Sequence, residues 1–393
     1  MNKKKQKKVL MLASVASMID QFNMPNIRLM LEMGYEVHIL CNFLEGNTCD
    51  KRRIKKIQKI LQDMQVVWHQ WDCPRNAFSV PKCCAAYRQL WALTGKYQFA
   101  WIHCHSPVGG VLARIAAHHR KIKVVYTAHG FHFYRGAPLK NWLLYYPAEA
   151  WLAHWTDVLV TVNGEDWQFA KRHLKAGKIY RIPGVGIDVE KFEIPEEGKK
   201  EFCIKYGIPE NAQLLLSVGE LNKGKNHRMV IRALSKIEKQ EVHYLICGQG
   251  RGKKSLQRYA ARMQVDDRLH MLGYQENMQQ IYEYADVFVF PSRREGMPVA
   301  LMEAMAAGLP CAVSDIRGNR ELIDDARGGI RFSPKKLQQL VDALDLLLGD
   351  DPFRRECKEY NKKKIRAYEQ AAVDQKMQKI YSQLCLTGAK RVP

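Results

Sequence analysis

Two carboxylates separated by seven residues, Glu295 and Glu303, stand in the run DVFVFPSRREGMPVALMEAMAAGLPCAVSD at residues 286–315. Asp286–Phe290 is a short β-branched and aromatic run closed by Pro291 and Ser292, as a buried parallel strand is. Pro298 suits the first turn of a following helix, where a missing N–H costs nothing, and Gly308 supplies the stop. The free amides of Gly296, Met297 and Val299 then point out of a positive helix end, which favours a diphosphate. Phosphate repels nearby carboxylates, so their partners should be hydroxyls. A sugar suits Glu295 in the loop, and a ribose suits Glu303, about one and a half turns into the helix. Anion site and hydroxyl acceptors together describe a nucleotide sugar.

A second anion clamp is expected in VGELNKGKNHRMVIRAL (218–234), a strand, a Gly-rich loop with Lys225, and a helix with Asn226 as its cap. His129 closes another strand at its carboxyl end, where α/β sheets place functional groups. His103 and His105 fall on one face of a strand, a spacing that zinc could use. No third ligand accompanies them, and Asp266–Asp267, Asp324–Asp325 and Asp350–Asp351 read as caps or solvated turns, so no metal is expected. Asn163, Glu165 and Asp166 read as a helix cap.

The segment EGMPVALMEAMAAGLP resembles the E-x(7)-E signature of the retaining glycosyltransferases of family 4, which have the GT-B fold. TAHGFHFYRG (127–136), IPGVGIDVEKF (182–192), VGELNKGKNH (218–227) and ICGQG (246–250) resemble further segments of that family, in its order. Nearly the whole chain is covered, and the likeness is to bacterial capsule and exopolysaccharide transferases. It implies two doubly wound Rossmann-like domains facing across a cleft, with no cofactor beyond a nucleotide-sugar donor. By this resemblance Lys225 holds the diphosphate, Glu303 the ribose, Glu295 the sugar hydroxyls, and His129 meets the sugar. Gly248 and Tyr274 would stand in the wall that holds the base, uracil by family habit. Ser17, Asp20, Asn23 and His105 would lie on the acceptor side, although the loop after the first strand lacks the family's glycine pair. A second departure is Glu220, where the family often has an Arg that joins the Lys on the diphosphate.

Such a site needs parallel strands that end in loops. Strands are expected at Val9–Val15, Glu36–Cys41, Val66–Trp71, Ala100–His105, Val124–His129 and Val158–Asn163. A second series is expected at Leu214–Val218, His243–Cys247, Leu269–Leu272, Val287–Phe290 and Cys311–Ser314. The predicted organisation is an acceptor-side domain over 1–185, a Gly- and Pro-rich linker over 186–200 and a donor domain over 201–351. The segment 352–393 would pack back on the first domain.

The chain's 393 residues, 47% hydrophobic and 26% charged, suit two globular domains. Eleven scattered cysteines read as reduced thiols of a cytoplasmic protein. MNKKKQKKVLMLASV reads as a charged leader into the first strand, not a signal peptide, and no apolar run is long enough to span a membrane. The net charge of +22 is concentrated early, with 27 basic against 13 acidic residues in 1–190. KRRIKKIQKIL (51–61) would place Ile54, Ile57 and Leu61 inward and present its cations to an anionic membrane surface. NWLLYYPAEAWLAHW (141–155), with Trp142, Tyr145, Tyr146, Trp151 and Trp155, also suits a membrane interface, with a kink or restart at Pro147. No nucleic-acid module is present.

The expected function is transfer of a hexose or N-acetylhexosamine from a nucleotide sugar to a lipid-linked saccharide, at the inner face of a cell membrane. The alternatives are a nucleotide-sugar 2-epimerase of the same fold, against which the EGMPVALMEAMAAG block argues, and a non-catalytic scaffold.

Overall fold

A computed structural model describes residues 6–47, 49–192, 198–239 and 241–386. Most of the charged leader (1–5) and the centre of the expected linker (193–197) lie outside the described residues. The chain divides into two units, Met1–Val185 with Gln370–Pro393, and Gly186–Glu369.

The first unit is built on β1 (Lys8–Leu12), β2 (Glu36–Cys41), β3 (Val67–Gln70), β4 (Phe99–His105), β5 (Lys123–Ala128), β6 (Val158–Thr161) and β7 (Lys178–Arg181). All pairings are parallel, in the order β3-β2-β1-β4-β5-β6-β7. The second unit holds β8 (Gln213–Val218), β9 (Val242–Cys247), β10 (Leu269–Gly273), β11 (Val287–Phe290), β12 (Cys311–Ser314) and β13 (Gly329–Phe332). These strands are also parallel, in the order β10-β9-β8-β11-β12-β13. Strand order reverses between β1 and β4 and between β8 and β11, the positions where doubly wound sheets open a crevice at their carboxyl ends. β7 and β13 were not anticipated. Both are short edge strands, KIYR and GIRF, whose polar residues break the buried-strand pattern.

Right-handed crossovers place the helices between β1 and β3 on one face of the first sheet and those between β4 and β7 on the other. The helix Lys51–Asp63 belongs to the first group. Asp50 caps it, accepting from the Arg53 amide at 2.8 Å, and Ile54, Ile57 and Leu61 are buried as the periodicity predicts. Its face of Lys51, Arg52, Lys55, Lys56 and Lys59 is exposed.

The helix Leu139–Ala153 lies on the opposite face and runs on through Pro147 without restarting. Trp142, Tyr145 and Tyr146 pack toward the core, and Trp155 stacks on His118. Of the five aromatics expected at a membrane interface, only Trp151 is exposed. It is joined instead by Leu139, Leu143 and Leu144, at 73%, 71% and 47% exposure.

Glu149 of this helix accepts two bonds from the fully buried Arg114, at 2.5 and 3.1 Å, while Arg114 stacks on Tyr126 at 4.0 Å. The neighbouring carboxylate raises the Arg114 pKa despite the opposing effect of burial. Glu149→Ala should strand that cation and destabilise the protein by about 3–5 kcal/mol, read as a lower midpoint in urea.

The last helix, Gln370–Leu386, belongs to the first unit, where Tyr381 stacks on Trp101 with ring centroids 4.8 Å apart. The preceding helix, Asp351–Ile365, does not join it as expected from the 352–393 boundary. Asn361 anchors it in the second unit by donating to the carbonyls of Leu309 and Gly328, both at 2.8 Å. The return therefore begins at Gln370.

Candidate active site

In the second unit, the loops after β8 and β11 meet at the reversal point. Asn222 Oδ1 accepts from the amides of Gly224 and Lys225 at 2.8 and 3.0 Å, a tight Asx turn that presents Lys225. The Arg293 amide donates to the Gly224 carbonyl at 2.9 Å, joining the two loops. Lys225 Nζ lies 2.7 Å from Glu295 Oε1 and 4.9 Å from the centre of the Phe290 ring. The second anion clamp and the first carboxylate are thus direct neighbours.

Asn226 adopts a left-handed conformation, with φ of 58°, ahead of the helix His227–Leu234. Its side chain makes no cap. It donates to the Pro291 carbonyl at 3.1 Å and accepts from Arg293 at 3.3 Å, tethering the two loops to each other. Glu220 accepts from the Asn222 side chain at 2.8 Å, bracing the same turn.

Gly248 has φ of 148°, and a Cβ there would lie 2.0 Å from the Gly219 carbonyl oxygen. Its role is close backbone approach to the Lys225 loop, a contact that any side chain would break. Tyr274 follows β10 and is 37% exposed.

The helix Val299–Ala306 starts one residue later than expected, with Pro298 as its cap residue and Gly308 ending it at φ of 79°. Proline has no side-chain acceptor, so the first amides of the helix gain no side-chain cap. Gly296 approaches Gly318 closely: a Cβ on Gly318 would lie 2.7 Å from the Gly296 carbonyl oxygen. Met297 packs on the core beneath.

Glu303 is part-buried and accepts from the Tyr282 hydroxyl at 2.8 Å. Burial pushes its pKa up to about 7, partly opposed by that hydrogen bond. Tyr282, Asn222 and the Arg293–Arg294 pair were missed by sequence reading. The two arginines beside Glu295 were visible as loop cations, whereas nothing in IYEYAD marks Tyr282.

In the first unit, His129 follows β5 and its Nε2 lies 3.0 Å from His105 Nδ1. His103 behind it bonds Tyr381 and Thr127, both at 2.8 Å, which occupies both ring nitrogens. Among the described residues no group of three or more His, Cys, Asp or Glu is placed to hold a metal ion.

The expected acceptor-side residues all have protein partners in this unit. Asp20 forms a bidentate pair with Arg53 at 2.7 and 2.8 Å, Asn23 is fully buried and donates to Met18, and Ser17 is buried with its amide held by Asn47. His105 is buried as well, and its Nδ1 meets His129. Asn23 and Asp20 thus satisfy a loop carbonyl and a helix cation, demands invisible in sequence.

Burial pushes the His129 pKa down to about 4 and that of His103 to about 3, and lowers His105 well below its usual range. His129 is therefore a neutral hydrogen-bonding group at physiological pH. On unfolding, all three regain a pKa near 6.5, so between that value and about 4 the unfolded chain binds more protons. Stability should fall as pH drops from about 6.5 to 4, by up to roughly 1.4 kcal/mol per pH unit for each ring. Urea titrations at pH 7 and 5 would measure the loss.

Residues 27–191 match the family model Glycosyltransferase Family 4, and residues 198–364 match Glycosyl transferases group 1. The structure is similar to Anabaena Alr3699/HepE solved in complex with UDP and glucose, with a TM-score of 0.78 at 15% identity, covering 96% of this chain and all of that one. Fold and paired loops together define the GT-B class. Putative glycosyltransferase EpsD of Bacillus subtilis (strain 168) is 32% identical over 388 residues, 96% of each chain. The UDP-Gal:alpha-D-GlcNAc-diphosphoundecaprenol alpha-1,3-galactosyltransferase of Escherichia coli is 31% identical over 293 residues, 70% of this chain and 75% of its own. This chain belongs to the family 4 glycosyltransferases.

Proposed function

We propose that this protein is a retaining, metal-independent transferase that moves a hexose or N-acetylhexosamine from a UDP-sugar to a lipid-linked saccharide, in bacterial surface polysaccharide assembly. The observation that carries this reading is the Lys225–Glu295 pair at 2.7 Å beside the start of the helix Val299–Ala306. A diphosphate is the stronger partner for Lys225, with helix amides to receive its remaining oxygens. Its arrival frees Glu295 to accept from sugar hydroxyls. Glu303 takes the ribose, and neutral His129 hydrogen-bonds the transferred sugar. The acceptor hydroxyl attacks from the leaving-group face and gives its proton to the departing phosphate.

No cofactor beyond the donor is required in this scheme, because Lys225 and the amides take the leaving-group charge. Activity should survive a chelator, and a strict metal requirement would sink the mechanism.

The lipid-linked acceptor is supported by relatives whose names specify diphosphoundecaprenol or diphospho-undecaprenol carriers. No helix among the described residues is long and apolar enough to cross a membrane. We place the protein at the inner membrane face, held peripherally by the cations of 51–61 or by the exposed leucines of 139–151.

Calorimetric titration of UDP-, GDP- and ADP-sugars, with Glu295→Ala in parallel, tests the donor reading. Selective binding of a UDP-sugar, weakened by the substitution, supports it. Absence of all nucleotide-sugar binding would leave a degenerate site.

A further inference from the structure

Tyr282 is fully buried at the end of the helix Met278–Tyr284, wedged between Phe192 and Phe288. Its hydroxyl lies 2.8 Å from Glu303 Oε2 and 3.1 Å from the Ala300 carbonyl oxygen. A phenol has one proton and cannot donate fully to both acceptors. The geometry accommodates two proton arrangements. With Glu303 protonated, the carboxyl donates to the Tyr282 oxygen and Tyr282 donates to Ala300. With Glu303 ionised, the phenol proton turns from Ala300 to the carboxylate.

From this, and resting on the ribose role proposed for Glu303, we infer that Tyr282 is a positioning residue whose hydroxyl rotates to hold Glu303 ionised when a nucleotide binds. Ribose hydroxyls donate to a carboxylate, so binding selects the ionised form. The carboxyl proton leaves to solvent, and nucleotide binding is thereby linked to proton release. Burial already brings Glu303 to about 7, so release falls in the physiological range.

Charged groups on neighbouring elements lie at the two ends of the Glu303 helix. Arg317 donates to the Glu295 carbonyl beside the Lys225–Glu295 pair, while the side chains of Lys358 and Lys362 line the space beside Gly308. Two thiols lie near Tyr282: burial raises the pKa of Cys311 and pushes that of Cys247 up to about 12, keeping both neutral and without charge toward the pair.

Calorimetry of UDP-, GDP- and ADP-glucose in buffers of contrasting ionisation enthalpy, from pH 6 to 9, counts the protons released. These diphosphate diesters do not titrate near neutrality. The wild-type protein should release up to one proton, with half-release near pH 7, and Glu303→Gln should release none. Tyr282→Phe keeps the ring packing and removes only the hydroxyl. It should move half-release upward by about one to two pH units, the worth of one hydrogen bond to a charged group. A purely structural role would weaken binding at every pH and leave the midpoint in place, which would overturn the inference. So would release that persists in Glu303→Gln, or no release from a wild-type protein that binds. If none of the three donors binds, the donor reading itself fails and this inference falls with it.

Discussion

Replacing Lys225 by alanine should lower kcat/KM by about 10²–10³-fold, equivalent to about 2.7–4 kcal/mol of lost transition-state stabilisation. In the proposed mechanism the bridging oxygen gains charge as the diphosphate leaves, and Lys225, presented by the Asx turn of Asn222, would be the cation that meets it. Asn222 and the tethers of Asn226 and Arg293 hold the loop, so the side chain needs little reorganisation during the reaction. A double-mutant cycle with Glu295→Ala sharpens the result. In the free protein the two groups are partners, so each single change leaves the other group without its ion pair. Strong non-additivity is expected in donor affinity. A loss below about fivefold in Lys225→Ala would transfer the leaving-group role to the amides and to neighbouring Arg293 and Arg294.

The second large effect concerns the membrane. Helices Lys51–Asp63 and Leu139–Ala153 lie on opposite faces of the first sheet, and a flat bilayer can meet only one of those faces. The helix at 51–63 buries Ile54, Ile57 and Leu61, leaves Ile60 part-buried and offers chiefly charge. That attraction should fall steeply with salt. The helix at 139–153 exposes Leu139, Leu143, Leu144 and Trp151, with Lys140 on the same surface and Arg135 just before it. Glu149, the one acid in that helix, faces inward to Arg114. This helix begins ten residues beyond His129, in the connection that follows the same strand, so a lipid contact there would bring a membrane-borne acceptor to the unit that carries it. Leu143→Ser, Leu144→Ser and Trp151→Ser combined should weaken binding to phosphatidylglycerol vesicles by about 10²-fold or more, at on the order of 1 kcal/mol for each apolar side chain withdrawn. Glutamate at 55, 56 and 59 is the matching test of the other face. Vesicle flotation at low and high salt separates the two. Loss only in the glutamate variant would assign the contact to charge at 51–63.

Much of this molecule was legible from the chain. The central strands could be read because each is buried on both faces and must be a continuous apolar run. The E-x(7)-E block could be read because helix start, glycine stop and carboxylate spacing are local. The edge strands β7 and β13 were lost for the converse reason: an edge needs fewer apolar residues, and KIYR or GIRF resembles a loop.

What only the tertiary structure decided are the partners of polar side chains. Sequence marks Asp20, Asn23, Asn226 and His105 as polar residues beside strand ends, where ligands bind. It cannot show that Arg53, Met18 and Pro291 already bond the first three, or that His129 bonds one ring nitrogen of His105. Nor could it show Tyr282 beneath Glu303, since they come from separate helices joined by packing on β11. Strand and helix period are set within a few residues by backbone geometry, whereas a buried polar atom takes its partner from whatever the fold brings within 3 Å.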